Sequence, residues 1–418
     1  MRETDGLLKK IGVEDLKLGM YIAEFCGSWM EHPFWRTSFL LSNPKDLERI
    51  QSSSIQALWI DCSKGLDVDH SVKAVTQADE HARVSSQLRA VAETDPHPHQ
   101  QQVSMEEELL LAKKTLVLSR SAMAEMFAEA RMGNAVNMTV ADNIVEQISR
   151  SIDRNPHALI SLCRLKKVDE YTYMHSLAVS GMMMALAREL AFDEGQIREA
   201  GLAGLLHDLG KAFIPLDILN KPGKLTDQEF TIIKSHPEQG TAVLHAQGMK
   251  DDSAIVDVCL HHHEKMDGSG YPANLNGDQI STLARMGAVC DVYDAITSNR
   301  PYKAGWDPAI SLHKMMSWTG HHFDPVIFQA FVKTLGIYPI GSLVRLSSER
   351  LAIVEEQSQA SLLKPIVKAF YSIRQSCAIT PIVIDLSRPG YEESIIQRED
   401  PGDWDLERIK MPWQSPPV

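Results

Sequence analysis

Paired cysteines are missing from this sequence. Cys26, Cys62, Cys163, Cys259, Cys290 and Cys377 are scattered, with no C-x-x-C spacing. That excludes a thiolate zinc knot and leaves reduced core thiols as the expectation. A long apolar run is missing as well. No stretch approaches the ~20 apolar residues of a membrane span. The best, LAVSGMMMALA from Leu177, is short and follows His175 almost directly, so it reads as a buried core helix. The opening MRETDGLLKKIG has no apolar signal region, and a cytoplasmic location without a membrane span is expected. Basic charge is in deficit, 42 Lys and Arg against 55 Asp and Glu, for a net charge of −13. This excludes broad binding to a nucleic-acid polymer. It also obliges an anionic substrate to find a locally positive pocket.

What is present is ordinary in bulk. Apolar residues make up 44% and charged residues 23%, as in soluble globular proteins, and 418 residues suggest two or three domains. The expected class is multidomain α+β: an all-α helical catalytic domain, a small β-rich N-terminal domain and a β-rich C-terminal appendage. In residues 1–104, MYIAEFCG, TSFLL and ALWIDCSKGLDV read as strands and PKDLERIQSS as a short helix. Trp29, His32 and Trp35 read as an edge-packing cluster rather than a pocket. The stretch 76–104, with His97 and His99 in DPHPHQQQ, reads as a solvated linker.

Connecting helices are expected over 105–155. Leu109, Leu116, Met123 and Ala130 recur every seven residues, which fits both a dimerising or signal-carrying helix and one packed on the next domain. Thr139 is the expected cap of a second helix bearing Val140, Ile144, Ile148 and Ile152 on one stripe. Residues 156–335 read as helical and hold 11 of the 16 histidines. Gly210 suggests a helix end and Pro237 a helix start. Residues 336–418 read as short strands with polar turns and no recognisable site.

The chemistry gathers around HHHEKMDGSGYP, from His261 to Pro272. Three adjacent imidazoles are hard to place as packing, because each ring nitrogen wants a partner. His175 in YTYMHS, His207 and Asp208 in GLLHDLGK, His236 in KSHPEQG and Asp291 in VCDVYDA complete a set of nitrogen and oxygen ligands with His262 and His263. A lone histidine would be read as a satisfied core residue, and His245, His313 and His321 are read so. His261 faces away from its neighbours and reads as structural. Glu264 is expected to orient a histidine or the following loop. Seven ligands exceed what one ion with open positions needs, and they suit two divalent metals, the usual apparatus for in-line attack on a phosphodiester. Lys211, four residues after His207, would lie one turn away on the same face if the helix continued past Gly210.

The pattern H…HD…H…HH…D resembles the HD phosphohydrolase superfamily, and HHEKMDGSGYP is similar to its HD-GYP subfamily. HDLGKAFIPLDILNKPGKLTDQEF, SHPEQG, DVYDAITSNRPYK and HHFDP extend the resemblance over roughly 140–335. The N-terminal part resembles, more weakly, an uncharacterised domain that precedes HD-GYP domains. The resemblance implies a bacterial phosphodiesterase that opens cyclic di-GMP to pGpG and in many cases GMP, through a hydroxide bridging two metals, with motility and biofilm behaviour under its control. It makes His175, His207, Asp208, His236, His262, His263 and Asp291 the ligands, iron or manganese ahead of zinc or nickel, with Asp208 bridging. It gives Lys211 the scissile phosphate, Arg300 and Lys303 the substrate's phosphates or guanines, and Gly270, Tyr271 and Pro272 the substrate-side loop. That loop also implies GGDEF-domain partners, and a homodimer is a further expectation. A glutamate that some members use for a third metal is replaced here by Tyr171, with Glu170 pointing elsewhere, so two metals are expected. Two alternatives stand beside this reading: an HD hydrolase of another nucleotide, and a non-catalytic module binding cyclic di-GMP or a GGDEF partner.

Overall fold

Alternating short strands come first in the chain. The computed structural model describes residues 8–26, 38–53, 55–69, 72, 74–93, 103–164, 171–221, 223, 225–298, 305–390 and 392–405. β1 (Leu8–Gly12), β2 (Tyr21–Phe25), β3 (Phe39–Leu40), helix α1 (Pro44–Gln51), β4 (Ala57–Asp61) and β5 (Val75–Thr76) build an antiparallel sheet in the order β3-β2-β4-β1-β5. Period-two alternation sends Ile22, Leu58 and Ile60 inward with no exposure, and Ile11 pairs with Leu58. With Phe25, Leu41 and Ile50 they form a core separate from that of the helices.

The helical body follows: α2 (Gln77–Glu93), α3 (Met105–Arg131), α4 (Met138–Arg154), α5 (Pro156–Arg164), α6 (Tyr171–Glu189), α7 (Glu194–Leu206), α8 (Leu216–Leu219), α9 (Asp227–Lys234), α10 (His236–Ala246), α11 (Ala254–His261), α12 (Thr282–Thr297), α13 (Pro308–Met316) and α14 (Pro325–Leu335). The expected linker therefore begins with a helix. Most of α2 is polar, but Val84, Leu88 and Val91 recur at helical spacing and bury against the helical core, where α2 meets α13 and α14. The cap of α4 is Asn137 rather than Thr139, its side chain accepting from Val140 N at 3.2 Å. Ile144, Ile148 and Ile152 do form its buried stripe. Buried Glu108 ties α3 to α4, accepting from Ser151 Oγ at 2.6 Å and from both arms of Arg154.

β6 (Leu343–Leu346), β7 (Arg350–Glu356), β8 (Ile366–Ser372), β9 (Cys377–Asp385) and β10 (Ile395–Arg398) form the second antiparallel sheet, in the order β10-β6-β7-β8-β9. The fold class is as the sequence led us to expect. Side-chain contacts join the parts. Lys314 on α13 pairs with Glu24 on β2, Arg49 on α1 with Asp227 on α9, and Arg398 on β10 donates to Ser85 on α2. Buried Asp307 caps α13 through Ala309 N and Ile310 N and also accepts from Leu343 N. Among the described residues no helix is long and apolar enough to cross a membrane.

The three histidines set aside as core residues are not core. His245 pairs with Asp251 at the surface, His321 is exposed, and half-buried His313 stacks on His81 with centroids 4.5 Å apart. Their polar rings find surface or junction partners more cheaply than core ones. Trp29, His32, Trp35, His97, His99 and Glu170 lie outside the described residues.

Candidate metal centre

Close backbone approach assembles the site. α6 and α7 meet where glycine permits it: a Cβ on Gly204 would lie 3.0 Å from the Ser180 backbone. α7 ends at Leu206, with His207 at its cap, and the chain tightens into a 3₁₀ turn over Leu209–Phe213. The α-helix does not run through Gly210 to Lys211, and Gly210 is no left-handed terminator either. Its missing Cβ makes room for α10, since a methyl there would fall 1.8 Å from His236 O and 2.6 Å from Gly240 N. The tightening carries Lys211 back onto Asp208, Nζ to Oδ2 at 2.5 Å. Pro237 sits in the first turn of α10, as expected, and His236 opens it.

Backbone carbonyls fix which nitrogen of each histidine faces inward. His207 Nδ1 donates to Gly204 O at 2.7 Å, His236 Nδ1 to Ile233 O at 2.7 Å, and His262 Nδ1 to Val258 O and Cys259 O at 3.0 and 3.1 Å. A carbonyl can only accept, so each Nδ1 carries hydrogen and each Nε2 presents a lone pair. Those of His236 and His262 face one another at 3.3 Å. Burial and the neighbouring His207 and His236 push His262 down to about 3, so the clash is not relieved by protonating it. His263 is held well below the usual histidine range, by burial and then by His262.

Two carboxylates complete the cluster. Asp208 has no exposure; its Oδ1 lies 3.3 Å from His236 Nε2 and 3.8 Å from His262 Nε2. Its Oδ2 lies 3.3 Å from His175 Nε2 and 3.4 Å from His207 Nε2. Asp291 Oδ1 is 3.0 Å from His175 Nε2, and its Oδ2 is 3.7 Å from His263 Nδ1. Burial opposes ionising Asp208, but Lys211 and His207 outweigh it; for Asp291, His175 and His263 do the same. Both stay well below the usual carboxylate range.

A divalent cation fits this place. His207 Nε2, Asp208 Oδ1 and Asp291 Oδ2 are buried and make no hydrogen bond, a costly state for polar atoms that a cation would relieve. Ligand atoms fall into two groups of three, His175, His207 and Asp208, and His236, His262 and His263, each within 4.8 Å. Burial works against protonating His175, yet Asp208, Asp291 and Asp294 raise it to about 10. Proton and metal would compete for that same lone pair.

Asp294 escaped the sequence reading. Its Oδ2 accepts from His175 Nδ1 at 2.6 Å, on the side of the ring away from the cluster. Its spacing from Asp291, three residues along the same helix, was the available signal.

The GYP loop braces His263. Tyr271 N donates to His263 O at 3.2 Å, and the Tyr271 ring stacks on the His263 ring with centroids 4.7 Å apart. Gly270 allows this, because a Cβ there would meet Glu264 Cα at 2.5 Å and His263 O at 2.6 Å. Glu264 orients the loop, as expected, accepting from Ala273 N and Leu275 N. His261 points elsewhere, to Asp257 at 2.8 Å. Arg300 and Lys303 lie outside the described residues, as does the side chain of Tyr171.

A helical body that converges five histidines and two aspartates from five segments defines a metal-dependent phosphohydrolase of the HD class, and residues 146–327 match the HD domain model. Residues 8–141 match a domain of unknown function, DUF3391. The chain is 48% identical over 408 residues to a cyclic di-GMP phosphodiesterase of Pseudomonas aeruginosa, covering 97% of this chain and 96% of that protein. It belongs to the HD-GYP family of cyclic di-GMP phosphodiesterases. A cyclic di-GMP phosphodiesterase of Vibrio cholerae is 34% identical over 223 residues, 50% of this chain and 45% of that one. A 3′3′-cGAMP-specific phosphodiesterase of the same organism is 39% identical over 131 residues, 31% and 25% of the two chains.

Proposed function

We propose that this chain hydrolyses cyclic di-GMP to linear pGpG at the cluster around Asp208, with GMP the product of any second hydrolysis. The reading rests chiefly on three inward lone pairs of His207, His236 and His262 meeting two buried carboxylates, with an ammonium beside them. Seven side chains, His175, His207, Asp208, His236, His262, His263 and Asp291, would hold two divalent ions, with Asp208 placed between the two groups of histidines. A ligand set of nitrogen and oxygen without thiolate suits iron or manganese first, then zinc or nickel. When bound, such ions polarise a phosphodiester and supply an activated water at neutral pH.

The chain's own groups do the rest. Lys211, 20% exposed on Asp208, supplies positive charge to the scissile phosphate. Tyr271 keeps His263 in place and forms the substrate-side wall, and Arg300 and Lys303 bind the phosphates or guanines. Water adds to phosphorus, the bond to the 3′ oxygen breaks, and the departing oxygen takes a proton. The enzyme acts in the cytoplasm, where GGDEF-domain proteins are its candidate partners.

The test is product chromatography after incubating manganese- or iron-loaded protein with cyclic di-GMP and, separately, 3′3′-cGAMP, with Asp208→Ala alongside. We expect pGpG or GMP from the wild type alone. Cleavage of 3′3′-cGAMP only would move the substrate to that of the cGAMP-specific Vibrio cholerae relative. No product from either, at about two metals per chain, would favour a binding module.

A further inference from the structure

Helix α3 is apolar on two opposite faces. Ala112, Leu116, Met123, Met126 and Phe127 bury one of them in the helical core. On the other, Leu110, Leu111, Val117 and Leu118 are 66, 42, 51 and 73% exposed. A solvent-facing side is ordinarily polar, and a contiguous apolar stripe marks an interaction surface. Leu111 and Leu118 are seven residues apart, as are Leu110 and Val117, so they form one seam along the helix. Glu125 and Met132 continue the line of Leu111; Lys114, Ser121 and Ala128 run beside it, and all five are exposed.

We propose that this seam is where two copies of the chain pair, α3 against α3, antiparallel about a two-fold axis. One register makes the seam complementary to itself. Leu118 lies opposite the second copy's Ser121, Leu111 opposite Ala128, and Lys114 opposite Glu125, each contact occurring twice by symmetry. The small side chains at Ser121 and Ala128 admit the leucines facing them. Lys114 and Glu125 make no ion pair within the chain among the described residues, which leaves both for the partner. A parallel pairing in register would instead set Lys114 against Lys114 and Glu125 against Glu125. The seam offers about ten side chains where a standard interface has 20–30 a side, so the dimer is reversible rather than obligate. The inference is independent of what the metal centre hydrolyses.

Sedimentation equilibrium of the full chain over a micromolar-to-millimolar series tests it, with circular dichroism to confirm folding of each variant. The wild type is expected to approach twice the chain mass. Leu118→Glu should stay monomeric, and because the position is exposed its fold should hold. Lys114→Glu and Glu125→Lys should each raise the dissociation constant about tenfold, since each puts two like-charged pairs in the seam. The double variant should recover most of the wild-type affinity. A wild type that stays monomeric throughout, a Leu118→Glu dimer as tight as the wild type, or a double variant no better than the singles would each overturn the proposal.

Discussion

Asp294→Ala isolates the support behind one proposed metal ligand, His175, from the proposed ligands themselves. His175 is 1% exposed, and its Nδ1 hydrogen goes to Asp294 Oδ2 at 2.6 Å. Removing the carboxylate strands a buried donor, at about 1–3 kcal/mol. It also frees the imidazole to turn, so Nε2 leaves the line toward Asp208 and Asp291 that it now holds at 3.3 and 3.0 Å. Loss of such an outer carboxylate typically costs 10- to 100-fold in metal affinity, about 1.4–2.8 kcal/mol. Asp294→Asn keeps an acceptor oxygen but not the charge. Charge-assisted bonds are about twice as strong as neutral ones, so Asn should retain roughly half of the affected free energy. Calorimetric titration of manganese into metal-free full-length protein measures this directly, with metal content per chain as a second readout. Wild-type affinity and stoichiometry in a folded Asp294→Ala would refute the reasoning.

Other perturbations probe the packing that places the ligands. Gly210→Ala puts a methyl 1.8 Å from His236 O, against backbone that has no rotamer to yield. We expect a loss of about 3 kcal/mol or more and a melting point lower by roughly 6–12 °C; an unchanged melt would show that α10 can step aside. Gly270→Ala forces the loop off Glu264 Cα and should unstack Tyr271 from His263, weakening metal binding about tenfold while far-ultraviolet dichroism stays as in the wild type. Burial raises Asp307 from its usual range to about 6. A carboxyl raised on folding binds more protons folded than unfolded between about pH 4 and 6, so its contribution falls as pH rises through that window, by at most about 3 kcal/mol. The stability difference between wild type and Asp307→Ala, from urea melts, should therefore shrink from pH 4 to pH 7, and a constant difference would count against the shift.

How far the sequence discloses this molecule depends on whether a residue's role is local or tertiary. The strands MYIAEF and ALWID, the seven-residue repeat of α3 and the histidine-rich helical region carry their own periodicity or composition, and each folds accordingly. β1, LKKIG, fully buries only Ile11 and leaves Leu8, Lys9 and Lys10 half-buried, which is too little alternation to read as a strand. In α2 the polar majority hides the single stripe of Val84, Leu88 and Val91, because composition averages over faces that a helix keeps apart. Gly210 looks like a terminator in one dimension, and what it does is steric, set by a helix 26 residues further on. Asp291 and Asp294 are chemically alike and one turn apart on α12. Only the position of α6 puts one on the inner nitrogen of His175 and the other on the outer one. The proposed ligands are therefore chosen by residue type alone, whereas what supports each of them is settled by which helix faces which. That is why the variants that separate the two, Asp294→Ala and Gly210→Ala, alter residues that touch no substrate.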